Sequence, residues 1–326
     1  MLVLTRADVE RLLDPDDLRQ AVARAMADLS AGRASMPARI AASVPERDGL
    51  LAAMPAYLPS SGALTTKLVS LFPRNADRPT HQAVIVAFDP ETGTPIALMD
   101  GEAITAARTA AASALATDLL ARADPYRLVV IGTGVQARAH LRAVSRVRRF
   151  GSICVVGRDL AKAKALAMEF GAGNFREVGA YVQIEQAVRE ADVICACTHS
   201  PEPVVRREWL RPGTHVNSVG YNTAGREIDA ATFRDALLVV ESRVATLAKP
   251  PAGSNDIAMA IAEGAMTPDH VHAELGELVS GARPGRADAA QITLYKSVGV
   301  AVQDAAAAAL VLEGARREHV GREVEI

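Results

Sequence analysis

The run Arg127-Leu128-Val129-Val130-Ile131, followed at once by Gly132-Thr133-Gly134-Val135-Gln136-Ala137, constrains this chain more than any other feature. The first five residues read as a short buried strand, and the segment up to about Arg149 reads as a helix. Between them, Gly132 lets the chain turn sharply and Gly134 lets the backbone approach a pyrophosphate. Ala137 is small enough for the helix to pack on the strand. The helix N-terminus attracts phosphate groups. A plain strand-to-helix turn also uses glycine, but Gly-x-Gly-x-x-Ala in this setting points to a Rossmann-type dinucleotide-binding domain.

The alternation continues downstream. Ser152 to Val156 reads as a second strand, Leu160 to Phe170 as a helix, and Val193 to Cys197, Thr214 to Val219 and Leu237 to Val240 as further strands. Such order builds a doubly wound, mainly parallel sheet with helices on both faces. Upstream the character differs. Residues 6 to 31 read as an amphipathic helical region, through Val9, Leu12, Leu13, Leu18, Val22 and Met26. Prolines at 37, 45, 55, 59, 73 and 79 then punctuate short apolar runs, as hairpins do, with Asp89-Pro90-Glu91-Thr92-Gly93 as one tight turn. An Ala-rich helix is expected from about Ala103 to Ala121, and a long helix from Ile292 to Arg317 that returns to the first domain. The expected architecture is α/β. A Rossmann domain spans residues 121–299, and an α+β substrate-binding and dimerisation domain spans 1–120 with 300–326.

Hydrophobic residues at 49% and charged residues at 23% fit a globular chain of two cores. The net charge of -2 argues against nucleic acid or an anionic membrane as partner. Early acidic residues (Asp8, Glu10, Asp14, Asp16, Asp17) are unlike a signal peptide, and no run approaches the ~20 apolar residues of a membrane span. Cys154, Cys195 and Cys197 sit in apolar runs, so reduced, buried thiols and a cytoplasmic protein are expected. Cys195-x-Cys197 could ligate a metal, but no second pair stands at zinc-like spacing, and no metal is expected. His270-x-His272 reads as solvated or capping histidines at a helix start.

The end of the second strand separates the two nicotinamide cofactors. An NAD site usually places Asp or Glu there for the ribose hydroxyls. This chain has Gly157-Arg158-Asp159. Arg158 could clamp a 2′-phosphate, and Gly157 removes the repelling carboxylate, so charge favours NADP(H) over NAD(H). The alternative leaves Arg158 solvated ahead of a helix capped by Asp159.

Outside the Rossmann region stand Met54-Pro-Ala-Tyr57, Lys67-Leu-Val-Ser-Leu-Phe-Pro73, Ala107-Arg108-Thr109-Ala-Ala-Ala-Ser113, Gly225-Arg-Glu-Ile-Asp229, His272-Ala-Glu-Leu-Gly276, Lys296-Ser-Val-Gly299 and Val302-Gln303-Asp304. With Gly132-Thr-Gly-Val-Gln-Ala137, and in this order over nearly the whole chain, they resemble the ornithine cyclodeaminase/mu-crystallin family. That family holds cyclodeaminases, alanine dehydrogenases, ketimine reductases and a hormone-binding crystallin. The resemblance implies that Arg39 (in Met36-Pro-Ala-Arg39), Lys67 and Arg108 hold a substrate carboxylate, which arginine can grip with two parallel bonds. It makes Lys67 the candidate for acid/base work. The alternatives are a surface lysine on a strand and a solvated helix arginine. It further implies cofactor contacts at Thr80, Thr109, Val135, Gln136, Thr198, Asn217, Ser218, Val219, Gly220, Arg226 and Ser297, and a substrate contact at Val298. His81, beside Thr80, could touch substrate or cofactor. A homodimer is also implied.

One departure decides between activities. Cyclodeaminases resembling this chain carry a catalytic Asp shortly after the Val-Gly pair. Here Val219-Gly220-Tyr221-Asn222-Thr223-Ala224-Gly225 is one residue shorter and offers Asn222. Asn cannot take a proton as a carboxylate does, though it can hydrogen-bond substrate or water. Imine reduction needs only a hydride, a carboxylate grip and a proton donor. The expected activity is therefore NAD(P)H-dependent reduction of a small α-imino acid. The rivals are ornithine cyclodeaminase and a non-catalytic NADPH-dependent binder.

Overall fold

In the strand Ala63–Leu71 the buried residues are Thr65, Lys67 and Val69, and in His81–Phe88 they are Ala83, Ile85 and Ala87. Period-two burial of this kind belongs to a sheet covered on one face. The computed structural model describes residues 1–171, 177–181, 183–222 and 224–325. It divides into two compact units, Met1–Arg108 with Gly299–Ile326, and Thr109–Val298.

The first unit holds a seven-stranded sheet among the described residues, in the order Arg322–Glu323, Leu2–Leu4, Pro95–Asp100, His81–Phe88, Ala63–Leu71, Gly49–Leu58, Ile40–Val44. Four successive antiparallel pairings, from Ile40–Val44 through to Pro95–Asp100, form the hairpins that the prolines announce. The turn at Asp89 is fixed by its carboxylate, which accepts from the N–H groups of Glu91 and Thr92. The expected helical region is two helices, Arg6–Leu12 and Pro15–Ser30. The break falls at Asp14-Pro15, where Asp14 caps and Pro15 needs no intrahelical partner. The helix Ala301–Glu318 packs on Pro15–Ser30 and on the inner face of the sheet, and its alanines let it approach closely.

The second unit holds, among the described residues, an eight-stranded sheet in the order Val271–Glu274, Leu237–Val240, Thr293–Lys296, His215–Ser218, Val193–Ala196, Arg127–Ile131, Ser152–Val156, Glu177–Tyr181. Every pairing in it is parallel. Val129, Ile131, Cys154, Val156, Ile194 and Ala196 face one core with Val188, Phe233 and Ile257. Leu128, Val130, Ile153, Val155, Val193 and Cys195 face the other with Leu141, Val144 and Leu166. Two cores on one parallel sheet make the doubly wound Rossmann-type α/β fold.

One expectation needs correction. Ile292 does not open the last helix: Thr293–Lys296 is a strand inside the parallel sheet, and the helix starts at Ala301. The β-branched and aromatic run Ile292-Thr293-Leu294-Tyr295 favours a strand, and Gly299 at φ 75° interrupts before the alanines. The chain changes unit after Arg108 and after Val298. The helix Gly101–Leu120 is one continuous element, and Ala110 and Ala114 already pack in the core of the second unit.

Cys154 and Cys195 are buried and Cys197 is half-buried, and burial pushes the Cys195 thiol up to about 12. No helix among the described residues is long and apolar enough to cross a membrane.

Candidate functional site

Lys67 takes its place from the alternation of its strand. Lying between Thr65 and Val69, it points to the covered face, where the helix Ala301–Glu318 presents Asp304. Lys67 Nζ lies 2.8 Å from Asp304 Oδ2, with side-chain exposures of 3% and 1%. Arg108 Nε lies 3.0 Å from Asp304 Oδ1, and Arg108 Nη1 donates to Gln303 Oε1 at 2.9 Å. Arg39 Nη2 donates to the carbonyl of Gly299 at 2.7 Å. A Cβ at Gly299 would stand 2.8 Å from Arg108 Nη2, so a glycine is what lets the backbone approach the guanidinium this closely. Neither Lys67 nor Arg108 is the solvated side chain of the alternative reading; both are buried.

Burial lowers the Lys67 ammonium most, to about 8, assisted by Arg108 and Arg39 and opposed by Asp304. Burial alone would raise the Asp304 carboxyl, but Arg108 and Lys67 outweigh it and hold the group below its usual range. Asp304 also lies in the first turn of its helix, where the macrodipole favours negative charge. Burial, with Lys67 and Arg108, keeps the His81 imidazole below its ordinary value. The first unit thus presents the Lys67 ammonium and the Arg108 guanidinium anchored on one carboxylate, with the Arg39 guanidinium held on the Gly299 carbonyl. Such a set can bind a carboxylate and exchange a proton beside it.

The second unit holds most of the cofactor candidates. Gly132 sits at φ 122°, and a Cβ there would meet the Cys197 carbonyl at 2.6 Å, so only glycine fits. Gly134 caps the helix Val135–Val147 with no side-chain bond, and nothing lies within 4 Å of where its Cβ would be. A helix start with no acidic residue in its first turn and open space at its cap fits a pyrophosphate. Beside it, a Cβ at Gly157 would lie 2.7 Å from Thr133 Cγ2. Arg158 is exposed, while Asp159 Oδ1 accepts from the N–H groups of Ala161 and Lys162 as a helix cap.

The remaining candidates are spread over the loops after the parallel strands. Thr198, Ser218 and Gly220 bond to the buried carboxylate of Glu227. The Asn217 amide is committed to Thr117 and His215. Val219 follows the strand His215–Ser218 and bonds back through its N–H to Ala196. Arg226 pairs with Glu263 at 2.8 Å. Ser297 Oγ and the Val298 N–H both donate to Glu241. Gln136 lies in the first turn of the glycine-capped helix, and Thr109 is buried in Gly101–Leu120. Thr80 belongs to the first unit, in the exposed loop before His81–Phe88.

Asn222 holds loop backbone. Its Nδ2 donates to the His199 carbonyl at 2.7 Å, and its Oδ1 accepts from the Ala224 N–H at 2.8 Å. Its neighbour Thr223 lies outside the described residues. His270 and His272 do not open a helix: His270 ends the short 3-10 turn Pro268–His270, where its Nδ1 accepts from the Thr267 N–H, and His272 lies in the strand Val271–Glu274 with its Nε2 bonded to the Pro284 carbonyl.

Sequence reasoning assigned no role to Asp304, Gln303, Glu227, Lys296 or Glu241. The available signal was a charged or amide group inside an otherwise apolar run, as in Val302-Gln303-Asp304-Ala305.

The profile of the ornithine cyclodeaminase/mu-crystallin family matches residues 1–319. The chain belongs to that family. Ketimine reductase mu-crystallin of Mus musculus is 37% identical over 285 residues, 86% of each chain. Among solved structures, Thermococcus litoralis Δ1-pyrroline-2-carboxylate reductase, in complex with NADH and L-proline, is 40% identical at a TM-score of 0.94, covering 99% of this chain and 100% of that one. An archaeal alanine dehydrogenase dimer with bound NAD is 32% identical at a TM-score of 0.90, covering 100% and 99%. The fold of this family member is thus that of nicotinamide-binding relatives, and the sequence motifs quoted above lie within the matched span.

Proposed function

We propose that this chain is an NAD(P)H-dependent oxidoreductase that reduces the C=N bond of a small α-imino acid, of the ketimine reductase or amino-acid dehydrogenase type. The observation that carries the reading is the buried set Lys67, Asp304 and Arg108, with an ammonium at about 8 held beside a guanidinium. Arg108 and Arg39 bind the substrate carboxylate. Asp304 and Gln303 fix the plane of the Arg108 guanidinium, so little orientation is lost on binding. Lys67 supplies a proton at the imine nitrogen. Gly132, Gly134 and the start of the helix Val135–Val147 cradle the cofactor pyrophosphate, and the nicotinamide, when bound, supplies the hydride. Asn222 acts as a loop clamp; both ends of its amide are engaged by backbone groups, and an amide at this position supplies no carboxylate base for a cyclodeaminase ring closure.

Within this reading NADP(H) is preferred over NAD(H). Asp159 is used as a helix cap and Arg158 is exposed at the strand end, so the position offers a cation and no ribose-binding carboxylate. Relatives solved with NADH and NAD make NADH the deciding control. The test follows absorbance at 340 nm with each cofactor and a panel of cyclic ketimine carboxylates and iminopropionate-type acids. NADPH is expected to be oxidised with the lower Michaelis constant, and Arg158→Asp to reverse the preference through loss of a charged contact of about 1.5–3 kcal/mol. Ammonia release from ornithine with only catalytic NAD would overturn the reductase reading. Equal response of both cofactors to Arg158→Asp would make that arginine a bystander.

A homodimer built through the first unit completes the proposal. On the outer face of its sheet Ile40, Ala53, Leu68 and Val84 are register partners across four strands, and Ile40 is 71% and Val84 39% exposed. An apolar row of this extent needs a cover, and a two-fold copy of the same face supplies one. The dimeric alanine dehydrogenase relative supports it. Light scattering is expected to give twice 34.3 kDa at all workable concentrations; a stable particle of 34.3 kDa would refute the dimer.

A further inference from the structure

We infer that Glu227 is a positioning residue that sets the cofactor-facing loops of the parallel sheet; the inference rests on the dinucleotide reading above. The strands Val193–Ala196, His215–Ser218 and Thr293–Lys296 are adjacent and parallel, so the loops that follow them leave the same edge. In folds of this class, ligands bind outside the carboxyl ends of the strands. Glu227 is fully buried at that edge. Its Oε1 accepts from Thr198 N–H at 2.7 Å and Thr198 Oγ1 at 2.8 Å. Its Oε2 accepts from Ser218 Oγ and from Gly220 N–H, both at 2.9 Å. Four donors fill the acceptor capacity of one carboxylate.

Lys296, at the end of the third strand, closes the arrangement. Its Nζ donates to Ser218 Oγ at 3.1 Å and to the Gly220 carbonyl at 2.9 Å, and lies 3.3 Å from Asp256 Oδ2. Asp256 Oδ1 in turn accepts from Glu227 N–H at 3.0 Å and Ile228 N–H at 3.2 Å. Gly220 permits the close approach: a Cβ there would stand 2.3 Å from the Thr198 carbonyl and 2.5 Å from Glu227 Oε1. Burying two carboxylates with one ammonium is costly, and apolar residues would join strand ends at lower cost. The charges bond to loop backbone and hydroxyl groups, so what they supply is geometry. They hold Thr198 and Gly220 in one arrangement before a ligand arrives, which lowers the ordering cost of binding.

Glu227→Gln keeps the size but turns one acceptor into an amide donor facing other donors. NADPH titration by fluorescence is expected to show at least tenfold weaker binding, with the Michaelis constant for the imino acid unchanged at saturating NADPH. Lys296→Met, which frees the Gly220 carbonyl from the other side, is expected to weaken NADPH in the same direction, and carries the test if Glu227→Gln does not fold. A folded variant with wild-type NADPH affinity overturns the inference. So does an equal loss of imino-acid affinity, which would mark a general structural role. Wild-type protein that binds neither NADPH nor NADH would refute the cofactor reading itself, a separate result from an unaffected variant.

Discussion

Replacing Lys67 with Met is expected to cut imine reduction by about 10²–10⁴, the usual worth of a positioned general acid, while NADPH affinity survives. Lys67 lies in the first unit, and Gly132 and Gly134 lie in the second, so the cofactor loses none of the groups proposed to hold it. Hydride arrival at the α-carbon builds electron density on nitrogen, and a buried ammonium supplies the proton without competition from bulk water. Its pKa of about 8 makes it a better donor than an ordinary lysine, yet leaves it mostly protonated at pH 7. The sign of the pH dependence follows. Reduction requires the protonated form and should decline as pH rises through about 8, whereas amino-acid oxidation requires the neutral amine and should rise there. The variant should lose both limbs. Rates at 340 nm across pH 6–10, with fluorescence titration of NADPH, read turnover and binding separately. The fold should survive, because Asp304 keeps Arg108 as partner when Lys67 is removed. Wild-type turnover in Lys67→Met would take the proton donor out of the mechanism.

The parts of this protein legible in its sequence are those fixed by local chemistry. Gly132 and Gly134 answer a turn and a close approach, and each acts within a few residues, so the motif located both the strand and the helix around it. Ser152–Val156 and Leu237–Val240 were likewise readable, as buried β-branched runs bounded by turns. Thr293–Lys296 was not. A strand buried on both faces lacks the alternation that marks a strand, and the alanines beyond Gly299 extend a helical pattern backwards over it. The strand Val271–Glu274 escaped for another reason: its histidine, Ala and Glu carry weak strand propensity, and its place at the sheet edge is set by pairing with Leu237–Val240.

The candidate site divides along the same line. Arg39, Lys67 and Arg108 stood out through the family resemblance, but what makes them a site is Asp304, which no local pattern connects to Lys67. An Asp in the first turn of an Ala-rich helix reads as a favourable charge at a helix start, and it is that as well. Only the packing of that helix on the sheet brings its carboxylate to both cations. Glu227 was hidden similarly: within Gly225-Arg226-Glu227-Ile228-Asp229 its bonds go to Thr198, Ser218 and Gly220, residues of other loops.

Asp304→Asn should therefore damage three properties at once. Asp304 accepts from Arg108 and pairs with the Lys67 ammonium while almost wholly inaccessible to water, so its loss leaves two buried cations without their anion. Breaking a buried pair in this way costs about 3–5 kcal/mol, which chemical denaturation would read as a lower midpoint. The Lys67 pKa also falls, since the Asp304 charge is what opposes burial and Arg108. The high-pH limit of reduction should then move to below about 8, leaving less protonated donor at pH 7. For the substrate carboxylate two effects oppose each other. Removing a negative charge makes the cluster more attractive to an anion, but the Asn amide holds Arg108 Nε through an uncharged acceptor only and turns a donor toward the Lys67 ammonium, which loosens both cations. Orientation should win, because a misplacement of ~1 Å can cost about 10² in rate, more than added attraction returns at a site already rich in positive charge. The expected result is turnover reduced by about that factor, with the pH limb displaced to the acid side. Loss of stability with an unmoved pH limb would mean that Asp304 holds the helix on the sheet and leaves the Lys67 proton alone.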